Sequence, residues 1–578
     1  MNKEMKKNFI SEIIGDSFKE WGHRKIILDA PTGSGKTTFI LKKLLPYLQM
    51  RGGKRFRHGK KLLIVCNRRL LRKQYFYEIT IIFDNYEEVQ ESVDVMTYQE
   101  LAYIVQKSKS LLGFFQGYEV ICLDEVHYFY QDSDFNGMGT FPLFRAIMLA
   151  GIEKQIIFIS ATIDCVESII QKELRACQDY WVNKYLERGI IHDISNKKYT
   201  EILKPVSSLN SSYDYLQCIC VPDQTTLCYR LAKSNGKSII FIDDKKWADE
   251  LYNDLLGTGE VKKNEICRIN AENLDDAENN PVVKALALAN RLIPKILITT
   301  SVLDNGVSIK DPEVENIIIF TESEISFKQM LGRMRVESIN EKLNLYFMPR
   351  TADYFEGRER VWKKYVDKIN EIKRRTLEKC IPEILTSLLS LDNEDKEIYE
   401  KIIIFYHHSL EVNQFPDWAK DISVFGDICL ALNPFAVKKI GELYLKACKF
   451  HKLAREDEKK VIIEQMGWLG LSENDLLIED SDYLKEREEL LKRELQMVKD
   501  FGKKELIDFK ERISNEFRKD LFPDIVLKKG SFSTEKLKEI LERFGYELIE
   551  TTGSNGNMKY SVYKQKKIIA QKYDISID

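Results

Sequence analysis

The stretch Ala30-Pro31-Thr32-Gly33-Ser34-Gly35-Lys36-Thr37-Thr38 constrains this chain more than any other feature. It follows the apolar run Lys25–Ala30 (KIILDA) and opens a segment of helical period. Glycines at this spacing let the backbone curl so that several N–H groups point inward, as a phosphate cradle requires. A helix N-terminus behind the loop adds a favourable dipole. Gly33, Ser34, Gly35, Lys36, Thr37 and Thr38 are therefore the expected nucleotide-binding residues. Lys36 is expected to neutralise the β- and γ-phosphates of a nucleotide, and the Thr37 hydroxyl to sit on Mg²⁺. Ala30 stands where the usual pattern has its first glycine.

The rest of the first third repeats the same rhythm. Lys61–Cys66 (KLLIVC), Val93–Met96, Val120–Leu123 (VICL) and Gln155–Ile159 (QIIFI) are short apolar runs, most of them followed by a helix-period segment. The alternation restarts at Ser238–Ile242 (SIIFI) and continues through Glu265–Ile269, Lys295–Thr299 and Asn316–Phe320. Such a pattern predicts α/β domains with doubly wound parallel sheets, here two in tandem over residues 1–175 and 232–350. Residues 176–231 read as a connecting segment in which Tyr215–Val221 is a strand.

Residues 351–525 change to helical period, as in Asp482–Asp500, where Leu484, Leu491, Leu495 and Val498 form one apolar face. Residues 526–578 read as a small α+β module. There Ser533 is placed to cap a helix carrying Leu537, Ile540, Leu541 and Phe544. Two strands, Tyr546–Thr551 and Met558–Tyr563, flank the hairpin signal Asn555-Gly556. Helix plus hairpin is compatible with a winged-helix module and with a plain α+β cap.

Asp124-Glu125-Val126-His127 directly follows the run Val120–Leu123. A strand end puts Asp124 at the carboxyl edge of a parallel sheet, where ligands of open α/β sheets bind. Asp124 is the expected second holder of Mg²⁺, through water, and Glu125 the residue that orients and deprotonates an attacking water. His127 reads either as a bridge from this acidic pair to Gln329 or as a structural histidine.

Taken in order, APTGSGKTT, DEVH and Ser160-Ala161-Thr162 resemble the first motor domain of a superfamily 2 helicase of the DExH type. Thr299-Thr300-Ser301-Val302-Leu303-Asp304-Asn305-Gly306-Val307-Ser308-Ile309 resembles motif V, and Gln329-Met330-Leu331-Gly332-Arg333-Met334-Arg335 resembles motif VI. The resemblance covers about residues 20–350 and implies two tandem RecA-like domains that close over ATP. It implies catalytic roles for Gln329, Arg333 and Arg335, with arginines reaching the γ-phosphate across the cleft. It places Gly306 at the nucleotide, Thr300 on nucleic acid, and Ser160 and Thr162 in coupling hydrolysis to motion. Cys66–Leu71 resembles motif Ia, with Arg68 or Arg69 on a strand phosphate, and Met96–Gln99 resembles the next strand-binding motif, with the Thr97 hydroxyl as ligand. Phe241–Asp244 occupies the place of motif IV. The two arginines of motif VI lie two apart rather than three, and no Gln precedes Gln49, so the adenine-reading glutamine of DEAD-box RNA helicases is missing.

Charge decides where nucleic acid is expected. Lys+Arg 88 against Asp+Glu 90 leaves a net charge of −2, so any such binding must come from local clusters. Residues 51–73 carry Arg51, Lys54, Arg55, Arg57, Lys60, Lys61, Arg68, Arg69, Arg72 and Lys73 with no acid, a track suited to a phosphate backbone. Lys564, Lys566, Lys567 and Lys572 would serve a wing in the same way or be solvated. With 11 cysteines and no CxxC pair, the thiols are expected to be buried and free rather than zinc ligands. The first residues lack the apolar core of a secretory signal, and no run approaches the ~18 apolar residues of a membrane span. A cytoplasmic protein is expected. Its partner is nucleic acid, DNA more than RNA. The alternative reading is an ATP-gated binding or scaffolding protein that recruits a protein partner through its helical region.

Overall fold

The structure, a computed structural model, describes residues 9–31, 33–51, 61–83, 91–107, 111–134, 137–187, 200–206, 213–242, 244–270, 281–300, 309–335, 342–377, 402–407, 428–478, 500–501, 505–511, 546–552 and 558–564, with the single residues Val89, Ile398, Arg493, Thr534, Leu537, Lys538 and Leu541.

In the first lobe, β1 (Lys25–Asp29), β2 (Lys61–Cys66), β3 (Val93–Thr97), β4 (Tyr118–Asp124), β5 (Gln155–Ser160) and β6 (Ile202–Val206) form a parallel sheet in the order β3-β2-β4-β5-β1-β6. Helices cover both faces, so Ile26–Leu28, Leu62–Cys66 and Ile156–Ile159 are buried continuously, which explains apolar runs without alternation. In the second lobe, β7 (Leu216–Cys220), β8 (Lys237–Ile242), β9 (Ile266–Ile269), β10 (Ile296–Thr299), β11 (Val314–Phe320) and β12 (Leu343–Phe347) pair in parallel in the order β7-β12-β11-β8-β10-β9. These are the two expected tandem RecA-like domains.

Two differences from the sequence reading concern the segments outside these cores. Among the described residues of the connecting segment 176–231, β6 joins the first sheet and β7 the second. Residues 351–525 are helical at Ala352–Leu377, Pro434–Glu456 and Lys459–Gly467, but also hold the antiparallel pair β13 (Ile403–His407) and β14 (Ile428–Leu432). They also supply β15 (Leu476–Ile478), which extends the second sheet alongside β7. A three-residue strand has no period of its own; it forms because β7 offers an unpaired edge. Near the C-terminus β16 (Asp500–Phe501), β17 (Tyr546–Thr552) and β18 (Met558–Lys564) form a small antiparallel sheet that contains the expected hairpin strands. Asn555-Gly556, the expected apolar face of Leu484, Leu491, Leu495 and Val498, and Lys566, Lys567 and Lys572 lie outside the described residues.

Helix Pro434–Glu456 joins the lobes. Asn433 caps it, accepting from Phe435 N and Ala436 N, while the Asn433 amide donates to Thr140 Oγ1 of the first lobe at 3.1 Å. Phe435 sits in the first core, its ring 5.9 Å from Phe129 and 5.1 Å from Phe144. Three turns and more further along, Phe450 sits in the second core against Phe355 and Trp468. At 23 residues the helix is about 34 Å long, enough to reach across both lobes.

Candidate active site between the lobes

Sheet register assembles the first half of the site. β4, β5 and β1 are adjacent, with Asp124 opposite Ile159 and Asp29 opposite Ser160, so the acidic pair, Ser160 and the phosphate loop emerge from one edge. Gly33 and Gly35 have φ of 80° and 85°, the left-handed region that favours glycine, and so the loop can curl. Lys36 is buried, with Nζ 3.2 Å from Ala30 O. The chain before β1 braces the loop: Ile10 N donates to Ser34 O at 3.0 Å, and the Phe9 ring packs against Gly35.

Two tyrosines that the sequence reading missed hold Asp124. The Tyr75 hydroxyl donates to Asp124 Oδ2 at 2.7 Å and also engages the Thr37 hydroxyl. The Tyr98 hydroxyl donates to Asp124 O at 3.0 Å, its ring stacked on Tyr128 at 4.6 Å. Both phenols are fully buried, and burial together with the Asp124 charge pushes each well above the ordinary range, so they stay donors. Nothing in sequence marks them, because they lie on helices whose facing is set only when the sheet forms. Tyr75 thus draws together two oxygen donors, Thr37 and Asp124, of the kind Mg²⁺ takes along with phosphate oxygens and water. Among the described residues no cluster of three or more His, Cys, Asp or Glu could hold a metal by itself.

Glu125 is buried and has φ of 52°, a strained conformation for a side-chain-bearing residue. That twist aims its carboxylate at the second lobe. Oε2 is 3.3 Å from His127 Nδ1, and Oε1 is 3.7 Å from Arg333 Nη2. Burial raises the Glu125 carboxyl, but Lys36, His127 and Arg333 outweigh it and hold the group ionised well below the ordinary range. Asp124 moves the other way, raised by burial and then by the Glu125 charge.

The second lobe brings helix Glu324–Leu331 and the turn after it to this edge. Arg333 is buried, and neither Nε nor Nη2 has a hydrogen-bond acceptor; such donors suit an anion between the lobes. The Arg335 guanidinium lies directly against Gly33, where even a Cβ would collide with it. Gln329 Nε2 donates to Thr162 Oγ1 at 3.3 Å. From there Thr162, Ser160 and His127 connect at 3.3 and 3.0 Å back to Glu125, one polar chain across the cleft. Lys36, Asp124, Glu125, Ser160, Thr162, Gln329, Arg333 and Arg335 are thus brought together.

The expected strand-binding residues are placed differently. Arg69 is exposed at the start of helix Arg69–Ile82, and Arg68 lies 3.8 Å from Asp132. The Thr97 hydroxyl is buried and already committed: it accepts from Glu100 N at 3.1 Å while Glu100 accepts from Thr97 N at 2.9 Å, a reciprocal helix cap. Arg72 is held by Glu100 and Val95 O, and Lys61 by Asp94 at 3.4 Å, so this part of the basic run is partly neutralised from within. Thr300 directly follows β10, its N–H on Ile269 O. Gly306, Lys54, Arg55, Arg57 and Lys60 lie outside the described residues. The described cysteines are free and mostly buried, and among the described residues no helix is long and apolar enough to cross a membrane.

Two RecA-like lobes, a phosphate loop and acidic pair in one, and an arginine turn of the other facing them make up the arrangement that the sequence resemblance to superfamily 2 helicases implies. Residues 2–165 match the family described as type III restriction enzyme, res subunit (ResIII). No curated protein matches the sequence. Among solved structures, the DEAD-box helicase Mss116 bound to ssRNA and UDP-BeF is 15% identical, with 82% of this chain and 88% of that chain covered at a TM-score of 0.44. S. cerevisiae Dbp5 bound to RNA and ADP BeF3 is 17% identical over 57% of this chain and 80% of that one, TM-score 0.38. The Mycobacterium smegmatis helicase Lhr bound to ssDNA and AMP-PNP is 15% identical over 60% and 46%, TM-score 0.38.

Proposed function

We propose that this chain is an ATP-dependent translocase or helicase acting on DNA, in which Mg²⁺-bound ATP closes the two lobes and its hydrolysis lets them part. The observation that carries this reading is the approach of Arg333 and Arg335 to Glu125 and Gly33 across the cleft. ATP with Mg²⁺, when bound, supplies the phosphoryl group and the charge that draws the lobes together. Lys36 and the loop N–H groups would hold phosphate oxygens, and Thr37 and, through water, Asp124 would hold the metal. Glu125, kept ionised by its cationic neighbours, takes the proton of the attacking water. Arg335, at the phosphate loop, offsets the charge of the departing phosphate, and Arg333 steadies Glu125. The Thr162–Gln329 bond passes the state of this centre to the second lobe. The family name of the first-lobe match, a restriction enzyme subunit, supports DNA over RNA.

The test is ATP turnover with single-stranded DNA, double-stranded DNA and RNA of matched length. Stimulation by DNA beyond that by RNA is expected. Equal rates with and without every nucleic acid would remove the motor reading, and stimulation by RNA alone would reassign the substrate. The helix Pro434–Glu456, rooted in both cores, favours a second reading: an ATP-gated binding protein without strand separation. Multiple turnover with no displacement of any tailed duplex would select it.

A further inference from the structure

The parallel strands β8, β11 and β12 end at a cavity of about 230 Å³ in the second lobe, part of whose wall comes from Phe450 and Gln465 of the C-terminal helices. It is smaller than the roughly 300–1,000 Å³ of sites for drug-sized ligands, a size suited to a single ring system. Its walls are aromatic. Trp247 lies 4.2 Å from Phe320 between ring centroids, and its indole N–H is fixed by Gln224 at 2.7 Å. The Arg350 guanidinium sits 3.4 Å over the Trp247 ring and 5.1 Å from that of Tyr354.

The polar atoms of this cavity are incompletely used. Arg350 makes no ion pair among the described residues; Asp244 and Glu322 act on it only from a distance, and its buried Nη2 has no acceptor. Glu322 Oε1 accepts from Arg358 Nε at 2.9 Å and from the Tyr354 hydroxyl at 3.2 Å, yet its buried Oε2 has no donor. The wall of this cavity therefore holds an unmatched donor and an unmatched acceptor, neither with surface open to solvent, beside stacking platforms. Arg350 and Arg358 are balanced by Asp244 and Glu322, which disfavours a phosphate and suits an uncharged guest.

We infer that this cavity binds a nucleobase, a planar heterocycle that gives an N–H to Glu322, accepts from Arg350 and stacks in the Trp247–Tyr354 cage. Indole rings and guanidinium planes both serve as platforms for unstacked bases. The base comes either from a bound strand, a form that rests on the proposed function, or from a free nucleoside. In a strand, the site would extract one base from the stack and mark the register of the second lobe.

The experiment is an abasic scan. Single-stranded 12-mers with one abasic site at each position are titrated against the full chain by fluorescence anisotropy, and free guanosine, adenosine, cytidine and uridine are titrated by calorimetry. The strand form predicts one position where losing the base weakens binding roughly 5- to 100-fold. Trp247→Ala and Arg350→Gln should bind the intact strand as weakly as the wild type binds that abasic strand, with no further loss from the missing base. Glu322→Gln, a milder change, should alter the preference among bases at that position and keep the fold if Trp247→Ala does not. The nucleoside form predicts saturable nucleoside binding abolished by Arg350→Gln. Equal affinity for every abasic strand together with no nucleoside binding overturns the site, even if DNA still stimulates ATP turnover. Nucleoside binding without such stimulation would keep the site and remove the motor reading.

Discussion

Gln329 and Thr162, from different lobes, share a hydrogen bond of 3.3 Å between the Gln329 amide and the Thr162 hydroxyl. Thr162 in turn contacts Ser160, which contacts His127, which contacts Glu125. Glu125, the residue proposed to activate water, is thus linked through this chain to the second lobe.

Thr162→Val tests that wiring. Loss of one buried hydrogen bond of about 1 kcal/mol should leave ATP turnover within roughly tenfold of wild type. Translocation per ATP, followed by displacement of a roadblock from DNA, should fall further. If both rates drop by the same factor, Thr162 serves hydrolysis alone.

The two arginines should separate by kinetics. Arg335, against the phosphate loop, is the better placed finger, so Arg335→Ala should reduce kcat by roughly 10³ or more. Arg333→Ala should cost less, because its nearest contact is the Glu125 carboxylate at 3.7 Å rather than the loop. Single-turnover ATP hydrolysis measures both; the reverse order of severity would exchange the assignments.

Helix Pro434–Glu456 should act as a structural tie. Lys439 donates to Gln131 O at 2.6 Å and Tyr130 to Glu442 at 2.5 Å, both in the turn just after the acidic motif, while Lys446 pairs with Glu324 at the start of the arginine helix. Phe435→Ala should destabilise the first lobe by about 3–5 kcal/mol. Urea denaturation checks it, with the expected signature of one cooperative transition splitting into two as the lobes uncouple.

Asp311 predicts an acid-dependent stability of the second lobe. Although burial raises its carboxyl, bonds from Leu292 N, Glu313 N and Lys237 more than offset this and hold it below the ordinary value of 3.8. The ionised form is therefore favoured by folding. Its contribution is complete at neutral pH, begins to shrink as pH falls to the unfolded value and is gone below the folded one. Wild type should exceed Asp311→Asn by roughly 1.5–3 kcal/mol at pH 7, and the gap should close below about pH 4. A gap that stays constant down to pH 3 would contradict this account.

Much of the fold was legible in order along the chain. GSGKT, DEVH and the run from Gln329 to Arg335 each carry local chemistry that requires those residue types at that spacing, and apolar runs such as Gln155–Ile159 announce strands buried on both faces. Tyr75 and Tyr98 were invisible, since a tyrosine on a helix becomes a ligand of Asp124 only through strand order. Thr97 has a second role that its motif does not announce: its hydroxyl caps the next helix by accepting from Glu100 N, three residues on.

Covalent neighbours therefore marked the phosphate loop, the acidic pair and the individual strands, because each depends on interactions within a few residues. Only tertiary structure decided that Arg335 rests on Gly33, that Arg333 faces Glu125, that one helix roots in both cores and that Trp247, Glu322 and Arg350 enclose a cavity. Those relations join residues tens to hundreds of positions apart, and the free energy that sets them lies in packing and charge pairing that local sequence does not encode.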